Sequence, residues 1–157
     1  MKKLMVLSII FVALSAFTCS SRIGDEIPFN AQYIRIQYFY PHLQNAITII
    51  TSTNQLKQYY NEHQISAWNG QGGELSDRAV SEIDSFFANH FIVAINLVEG
   101  SGSIRHKVEN IDTNGEILIK RLLPEGGTDD MAAWSIMIEL SNTFRNKQFK
   151  VSLVDVN

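Results

Sequence analysis

Short runs of alternating or continuously apolar residues, separated by polar turns, make up most of the chain after residue 32. Apolar and polar residues alternate over residues 33–40, a pattern that predicts a half-buried strand. Residues 91–98 are nearly all apolar and predict a central strand buried on both faces. Similar patterns predict further strands over residues 46–51, 104–111, 116–123, 134–140 and 149–156.

Two segments have helical spacing instead. Ser52 and Gln55 match a capping box ahead of apolar residues at helical intervals, which predicts a helix over about residues 53–63. A second helix is predicted over residues 77–88, with Ser76 or Asp77 as its N-cap. The order of elements predicts an α+β fold: a mostly antiparallel sheet of about six to seven strands, with both helices packed on it.

The amino terminus has the layout of an export signal. Two lysines precede a fourteen-residue apolar run over residues 4–17, which at about 1.5 Å per residue is short for a bilayer core of about 30 Å. We therefore predict a cleaved signal peptide over residues 1–18. Cys19 stands where a bacterial lipoprotein carries its lipid, and plain secretion with loss of Cys19 is the alternative. The predicted location is the extracytoplasmic side of the cell membrane, or the medium.

The chain downstream of the signal is a single, mildly acidic unit. Residues 19–31 suit a lipid anchor and tether, and residues 32–157 suit one globular domain. Loss of residues 1–18 leaves 11 basic and 16 acidic residues, a net charge of −5. Such a charge without a basic cluster argues against nucleic acid as a partner. Cys19 is the single cysteine, so no internal disulfide can form.

Two loops combine glycines with polar and charged residues, at residues 99–106 and 124–134. Arg105 beside His106 is the best recognition pair, since a guanidinium can bind a carboxylate through two parallel hydrogen bonds. A surface ion pair of Arg105 with Glu109 or Glu116 is the alternative. The two loops supply six candidate binding residues: Ser101, Ser103, Arg105, His106, Asp129 and Asp130.

The strand at 91–98, the Gly-Ser-Gly-Ser turn after it, the hairpin through Gly115 and the final aromatic strand carry a resemblance. Over about residues 85–156 they resemble the C-terminal domain of the PrcB-like family, whose members are subunits of a protease complex. Residues 101–106 and 127–131 also resemble segments of small secreted proteins from Gram-positive gut bacteria. The chain departs from the family in lacking the Pro-Thr-Gly-Gly-Tyr form of the turn. The resemblance implies a β-rich accessory domain that binds or stabilises another protein.

These features together predict an exported, lipid-anchored accessory or protein-interaction module, with an unidentified protein partner and no cofactor. One alternative is an extracytoplasmic hydrolase or metal-dependent enzyme that uses His106, Asp129 and Asp130, since imidazole and carboxylates are ligands of zinc and manganese. The sequence lacks a spaced histidine pair and a Gly-x-Ser-x-Gly elbow, so we assign no catalytic residue and no metal. Another alternative is a small-ligand or glycan binder with an aromatic groove near Trp68 or Trp134.

Overall fold

The computed structural model describes residues 26–36, 46–65 and 77–157, and for residues 77–81 it describes the backbone alone. The predicted signal, Cys19, residues 37–40 of the first predicted strand and Trp68 lie outside these ranges. The described elements are β1 (Asn30–Ile36), β2 (Ile47–Ile50), α1 (Thr53–His63), α2 (Asp77–Asn89), β3 (His90–Glu99), β4 (Arg105–Ile111), β5 (Glu116–Leu122), β6 (Ala132–Ser141) and β7 (Lys150–Val156).

Four strands form an antiparallel sheet, here called the large sheet, in the order β1-β6-β3-β2. Its centre is the long pairing of β3 with β6, which runs from His90 opposite Ser141 to Glu99 opposite Ala132. Every residue from Phe91 to Leu97 is buried, as expected for a central strand covered on both faces. The large sheet is therefore the middle layer of the domain.

The remaining three strands form a second sheet, the small sheet, in the order β4-β5-β7. β4 and β5 are an antiparallel hairpin that turns at Asp112–Gly115, whereas β5 and β7 run parallel. A β-bulge lies between Val108 and Asn110 in β4. The parallel pair has β6 between its two strands in sequence, so the chain crosses from one sheet to the other and back.

Alternate side chains of β3 point to opposite faces and fill two separate cores. Phe91, Val93 and Ile95 face the small sheet, where they pack with the buried Ile117 and Ile119 of β5. On the other face, the even-numbered residues of β3 pack with side chains of both helices, in a cluster that includes Ile92, Ala94, Leu56, Tyr60 and Ile83. The domain thus has three layers: helices, large sheet and small sheet.

The predicted α+β class, with two helices packed on mostly antiparallel strands, is confirmed. The seven strands form two sheets of four and three rather than a single sheet. The physical reason lies in β3, which already has β2 and β6 as its two neighbours and so has no free edge for the following hairpin. The β4–β5 hairpin instead turns away after Glu99 and packs across the face of the large sheet.

The predicted tether over residues 19–31 extends too far into the domain. Ile27 is only 2% exposed and belongs to the core between the sheets. Its backbone N–H donates to the Ile111 carbonyl, and Glu26 forms an isolated bridge with Asp112. β1 then begins at Asn30. The globular domain therefore includes the residues from Glu26 onward and does not begin at residue 32.

Helix α1 begins as its sequence predicts. Ser52 has extended backbone geometry, and its hydroxyl accepts a hydrogen bond from the Gln55 N–H at 3.3 Å. The Gln55 side chain reaches back to the N–H of Thr51, one residue earlier than in the usual capping box. Thr53 also donates a hydrogen bond to Asp84, which links the start of α1 to α2.

The hairpin between β4 and β5 depends on one glycine, and this gives a first prediction. Gly115 has φ of 89°, and a Cβ there would collide with the carbonyl oxygen of Gln148. We expect Gly115→Ala to lower the free energy of unfolding by about 2 kcal/mol, since both left-handed backbone and close contact oppose the side chain. Urea denaturation monitored by circular dichroism measures the change.

Gly126→Ala is the matched control, because a Cβ at Gly126 meets no atom within 4 Å. We expect its unfolding midpoint to stay close to that of the wild type. Equal midpoints for Gly115→Ala and Gly126→Ala would show that the turn accommodates a side chain and would contradict the prediction.

Candidate functional site

Most of the candidate residues lie at one end of the two sheets, here called the polar end. The pairing of Glu99 with Ala132 and of Ile36 with Ala133 brings the end of β3, the start of β6 and the end of β1 together. The turn from Glu99 to Arg105 begins β4 at this same end, and Arg105 pairs with Leu122 at the end of β5. Sheet topology thus collects polar residues from five strands.

A hydroxyl cluster joins the two glycine-containing loops. Ser101 Oγ lies 2.7 Å from Ser103 Oγ and 3.1 Å from Thr128 Oγ1. The backbone N–H of Thr128 donates to Ser101 Oγ at 2.9 Å. Ser101 therefore holds the loop after β3 against the loop before β6, and its hydroxyl is occupied by structural hydrogen bonds.

Asp130 provides the second link between these loops. It accepts a hydrogen bond from the Gly102 N–H at 3.3 Å and pairs with Arg35 Nη2 at 2.9 Å. Hydrogen bonds from the Thr128 side chain and from Arg35 lower the pKa of Asp130 to about 2. A Cβ on Gly102 would overlap the Asp130 carboxylate, so the close approach needs glycine at this position.

Arg105 lies beside these loops with its guanidinium held in one place. Its Nη1 donates to the carbonyl oxygens of Gly102 at 2.8 Å and Ile104 at 3.1 Å. Its Cζ lies 5.3 Å from the centre of the Trp134 ring, within cation–π range. Arg105 is exposed, and no carboxylate of the described residues pairs with it.

The alternative of a surface ion pair between Arg105 and Glu109 or Glu116 is wrong for the described structure. Glu109 pairs with Lys107 and Lys120 instead, and Glu116 accepts a hydrogen bond from Ser152.

His106 points into the space between the sheets. Its Nε2 lies 2.7 Å from Glu99 Oε1, and the two side chains are 0% and 2% exposed. Arg121 donates two hydrogen bonds to the same carboxylate, from Nε to Oε1 at 3.0 Å and from Nη2 to Oε2 at 2.6 Å. Arg121 Nη1 also donates to Asp155 at 2.6 Å. A chain of four charged or ionisable groups therefore crosses from β3 to β7.

The carboxylate at the middle of this chain is held in its ionised form. Burial acts to raise the pKa of Glu99, but the hydrogen bonds from Arg121 and then His106 outweigh that effect, and the net pKa lies below its ordinary value. The carboxylate can only accept, so the proton of the contact with His106 lies on Nε2. His106 Nδ1 and Trp134 Nε1 are buried without a hydrogen-bond partner among the described residues.

The structure brings only some of the six candidates together. Ser101, Ser103 and Asp130 share one hydrogen-bonded loop cluster, and Arg105 contacts the same loop through Gly102. Asp129 is exposed. His106 is enclosed with Glu99, and nowhere in the described ranges do three histidine, cysteine or acidic residues form a group able to hold a metal. The trio of His106, Asp129 and Asp130 that the enzyme alternative requires is therefore not assembled as a ligand set.

The glycan-binding alternative requires an open aromatic surface. Trp134 is only 8% exposed, its ring contacts His106 edge-on, and Arg105 lies over it. The indole is thus a core residue, as its position on an alternating strand predicts. Trp68, the other aromatic residue considered for such a groove, lies outside the described residues.

Sequence reasoning missed the partners Arg35, Glu99, Arg121 and Asp155. Glu99 offered one signal, because it is an acidic residue directly at the end of an apolar run, where its side chain would continue the buried face.

A second polar network, between α1 and the large sheet, was missed entirely. Tyr59 Oη lies 2.8 Å from Asn96 Oδ1 and 2.7 Å from Ser135 Oγ, all buried between α1 and the large sheet. Burial, the main cause, raises the pKa of Tyr59 to about 12.

No protein-family model, no curated protein and no solved structure matches this chain. Within the described ranges, none of the helices has both the length and the apolar character needed to span a bilayer. The polar end and the residues around it are therefore the basis for assigning a function.

Proposed function

We propose that this protein is an exported interaction module, held on the outer side of the cell membrane by a lipid on Cys19. Its domain binds another protein through the polar end. The amino-terminal pattern supports export and the anchor, because a short positive segment and an apolar run precede the single cysteine. The resemblance of residues 85–156 to PrcB-like domains supports an accessory role.

Arg105 is the observation on which the binding part of the proposal depends. Two carbonyl oxygens and the Trp134 ring hold its guanidinium in place, so little side-chain freedom is lost when a partner binds. Only Nη1 is used by the two carbonyls, which leaves Nε and Nη2 available to a carboxylate. Arginine stacked on an aromatic ring is a common anchor at protein interfaces. The partner group that fits is an aspartate, a glutamate or a terminal carboxylate.

The loop cluster around Ser101 and Asp130 gives this arginine a rigid setting. Asp130 holds the Gly102 N–H, and Gly102 in turn presents the carbonyl oxygen that Arg105 uses. His106, by contrast, has a side chain that is 0% exposed and is bonded to Glu99, so a substrate does not reach it without opening of the sheets. Binding of a partner is the activity that this geometry supports best.

Co-purification from native membranes tests the proposal, with proteins identified by mass spectrometry. The wild type should retain a specific partner, and Arg105→Ala should reduce its recovery about tenfold or more, as for an interface anchor. Arg145→Ala is the matched control, since Arg145 is an exposed arginine after β6, at the opposite end of the large sheet. Its partner recovery should match that of the wild type.

Cys19→Ser tests the anchor separately. This variant should leave the membrane fraction and appear in the soluble exported fraction, while mass analysis of the wild type should show an acylated amino-terminal cysteine. An unmodified mature wild type in the medium would overturn the anchor, and equal partner recovery from Arg105→Ala and Arg145→Ala would overturn the interface.

A further inference from the structure

The two sheets close over their shared core on one side and leave it open on the other. On the closed side, the Val108 N–H of β4 donates to the Tyr33 hydroxyl of β1 at 2.8 Å and links the sheets. On the other side, β2 and β7 are the last strands of the large and small sheets. The Phe91 ring at the start of β3 lies 6.0 Å from the Phe149 ring before β7, which places β7 under this side of the large sheet. The side bounded by β2 and β7 is here called the open side.

Two aliphatic side chains of the open side point toward the core and are still exposed. Ile49 of β2 pairs with Val93, and Leu153 of β7 pairs with Ile119. Residues opposite each other on neighbouring strands share a face, and Val93 and Ile119 belong to the core between the sheets. Ile49 is nevertheless 40% exposed and Leu153 is 39% exposed. Within the described ranges of the chain, the apolar core is therefore not sealed along this side.

The main chain of β7 directs hydrogen-bonding groups to the same side. Its pairing with β5 begins with the Lys150 N–H, which donates to the Gly115 carbonyl oxygen, and ends with the Val156 carbonyl oxygen, which accepts from the Leu123 N–H. Successive residues of a strand direct these groups alternately to one side and the other. No described strand lies on the side away from β5. Three residues of β7 direct their N–H and C=O groups to that free edge: Val151, Leu153 and Asp155.

The other edge of the small sheet, β4, is protected against further pairing, and the β7 edge is not. β4 has a bulge beside Val108, and the Val108 N–H is already bonded to Tyr33. The register of β7 with β5 is continuous, and residues 151–154 contain neither a charge nor a proline. Bulges, prolines and charges are the usual means by which a sheet edge avoids another strand. The composition of the β7 edge therefore favours pairing with another strand.

We propose that a second copy of this chain occupies the β7 edge, with the two β7 strands antiparallel about a two-fold axis at Leu153. This register places Leu153 opposite Leu153 of the second copy, and Val151 opposite Asp155. Directly opposed residues whose main-chain groups face each other exchange two hydrogen bonds, so every edge group of the three residues finds a partner. The two small sheets become one sheet in the order β4-β5-β7-β7-β5-β4.

The charges and the open core both favour a second copy over an unrelated strand. Lys150 and Asp155 are the charged residues of β7, and in this register both lie opposite valines, so no like charges meet. The same rotation turns the β2 edges of the two copies toward each other, so Ile49 of each copy faces the other copy. A two-fold pair therefore covers both exposed side chains, Ile49 and Leu153, whereas a strand added to β7 alone would leave the β2 edge as it is.

This dimer goes beyond the proposed function and does not depend on it. Cys19 takes no part in the pairing, and β4, which begins with Arg105, lies at the outer edges of the six-stranded sheet. Each dimer would present two copies of Arg105 to a partner. A partner with two binding groups would then be held more tightly than by one copy, through the high effective concentration at the second site.

Disulfide cross-linking tests the pairing in cells that produce the full chain. The Cα atoms of a hydrogen-bonded antiparallel pair lie about 5.5 Å apart, a distance that a disulfide spans. Leu153→Cys should therefore form a covalent dimer when a copper catalyst and dissolved oxygen oxidise the two thiols. The wild type shows how much product comes from Cys19 alone. We expect at least about fivefold more dimer from Leu153→Cys than from Val151→Cys, whose two copies are too far apart in this register to be bridged.

Cysteines on either side of Leu153 report the register. Ser152→Cys and Val154→Cys each meet their own copy only if the strands shift, so both should give little dimer. A stronger product from either variant, or none from a Leu153→Cys protein with the circular dichroism spectrum of the wild type, would overturn the proposed pairing. A product with the mass of a different protein in place of the dimer would assign the edge to that protein and would equally contradict the proposal.

Leu153→Pro separates the dimer from the fold of one copy. Proline lacks the N–H that points to the free edge and is tolerated on an edge strand, so a single copy should still fold. The wild-type unfolding temperature should rise with protein concentration, and that of Leu153→Pro should not. Leu153→Lys, which opposes two like charges at the axis, should behave as Leu153→Pro does. A wild-type unfolding temperature that is independent of concentration would rule out the dimer and leave the proposals on Cys19 and Arg105 untouched.

Discussion

Replacement of Glu99 by alanine is expected to lower the free energy of unfolding by about 3 kcal/mol, because it leaves two basic side chains without their shared acceptor. Glu99 is 2% exposed and accepts from His106 and twice from Arg121. Arg121 is itself one quarter exposed and keeps its contact with Asp155, so the loss lies at the lower end for a broken buried pair. Urea denaturation should show a lower midpoint at an unchanged slope.

Glu109→Ala is the surface control for this variant. Glu109 also pairs with two basic residues, Lys107 and Lys120, but its side chain is one third exposed to solvent. Its removal should shift the midpoint far less, because exposed ion pairs contribute little. Equal shifts for the two variants would mean that the buried chain of charges adds nothing beyond a surface pair.

The same carboxylate makes the stability depend on pH. The pKa of Glu99 in the folded protein lies below its ordinary value of 4.5, so an unfolded chain takes up this proton first as the pH falls. The stabilisation is therefore complete above about pH 4.5 and is lost as the pH falls toward the folded pKa. Because the pKa values of other carboxylates, including those of Asp130 and Asp112, are also lowered, the comparison of wild type with Glu99→Gln isolates the contribution of Glu99.

Asn96→Leu is expected to destabilise the protein by about 3 kcal/mol, although it makes a buried strand more apolar. The Asn96 side chain accepts from Tyr59 Oη at 2.8 Å and donates to His63 Nε2 at 3.0 Å. His63 Nδ1 donates to the Tyr59 carbonyl oxygen, so Nε2 is left as an acceptor that needs a donor. Leucine leaves the buried His63 Nε2 without a donor, which costs about 1–3 kcal/mol, and it also removes one of the two contacts of the Tyr59 hydroxyl, which keeps Ser135.

A double-mutant cycle with Tyr59→Phe checks the mechanism. Tyr59→Phe removes the hydroxyl that contacts both Asn96 and Ser135 and should be destabilising on its own. Combined with Asn96→Leu, the loss should be smaller than the sum of the two single losses, because they share one hydrogen bond. Strict additivity would show that the network is not coupled, and a stabilising Asn96→Leu would contradict the prediction outright.

The elements of the fold could largely be predicted from local patterns, because hydrophobic period and turn residues are local properties. The helix over 53–63 agrees with the structure at both ends. The strand predicted at 91–98 is one residue short at each end, and the strand predicted at 104–111 begins one residue early. The division into two sheets could not be predicted, since it depends on which strand edges are already occupied. Both edges of β3 are occupied by strands that are distant in sequence. β2 lies more than thirty residues before β3, and β6 lies more than thirty residues after it.

The candidate site was harder to predict for a related reason. The sequence brings Ser101, Ser103 and Arg105 together because they are neighbours, and Asp130 was included because of its glycine-containing loop. The enzyme alternative grouped His106 with Asp129 and Asp130, whereas the structure pairs it with Glu99. The two partners are seven positions apart in sequence, and the turn between β3 and β4 places them face to face. Only the three-dimensional path of that turn decides which carboxylate the histidine meets.

The crossing between the sheets has a consequence for the order of folding. β6 forms the middle of the large sheet, so β1 and β3 have no shared neighbour until residues 132–141 are available. β7 joins β5 later still, through a parallel pairing that spans more than thirty residues. Long-range pairings of this kind form slowly. The domain of a chain emerging from the ribosome therefore cannot close before residues 150–156 have been synthesised, and the open chain that exists until then is compatible with the export proposed above.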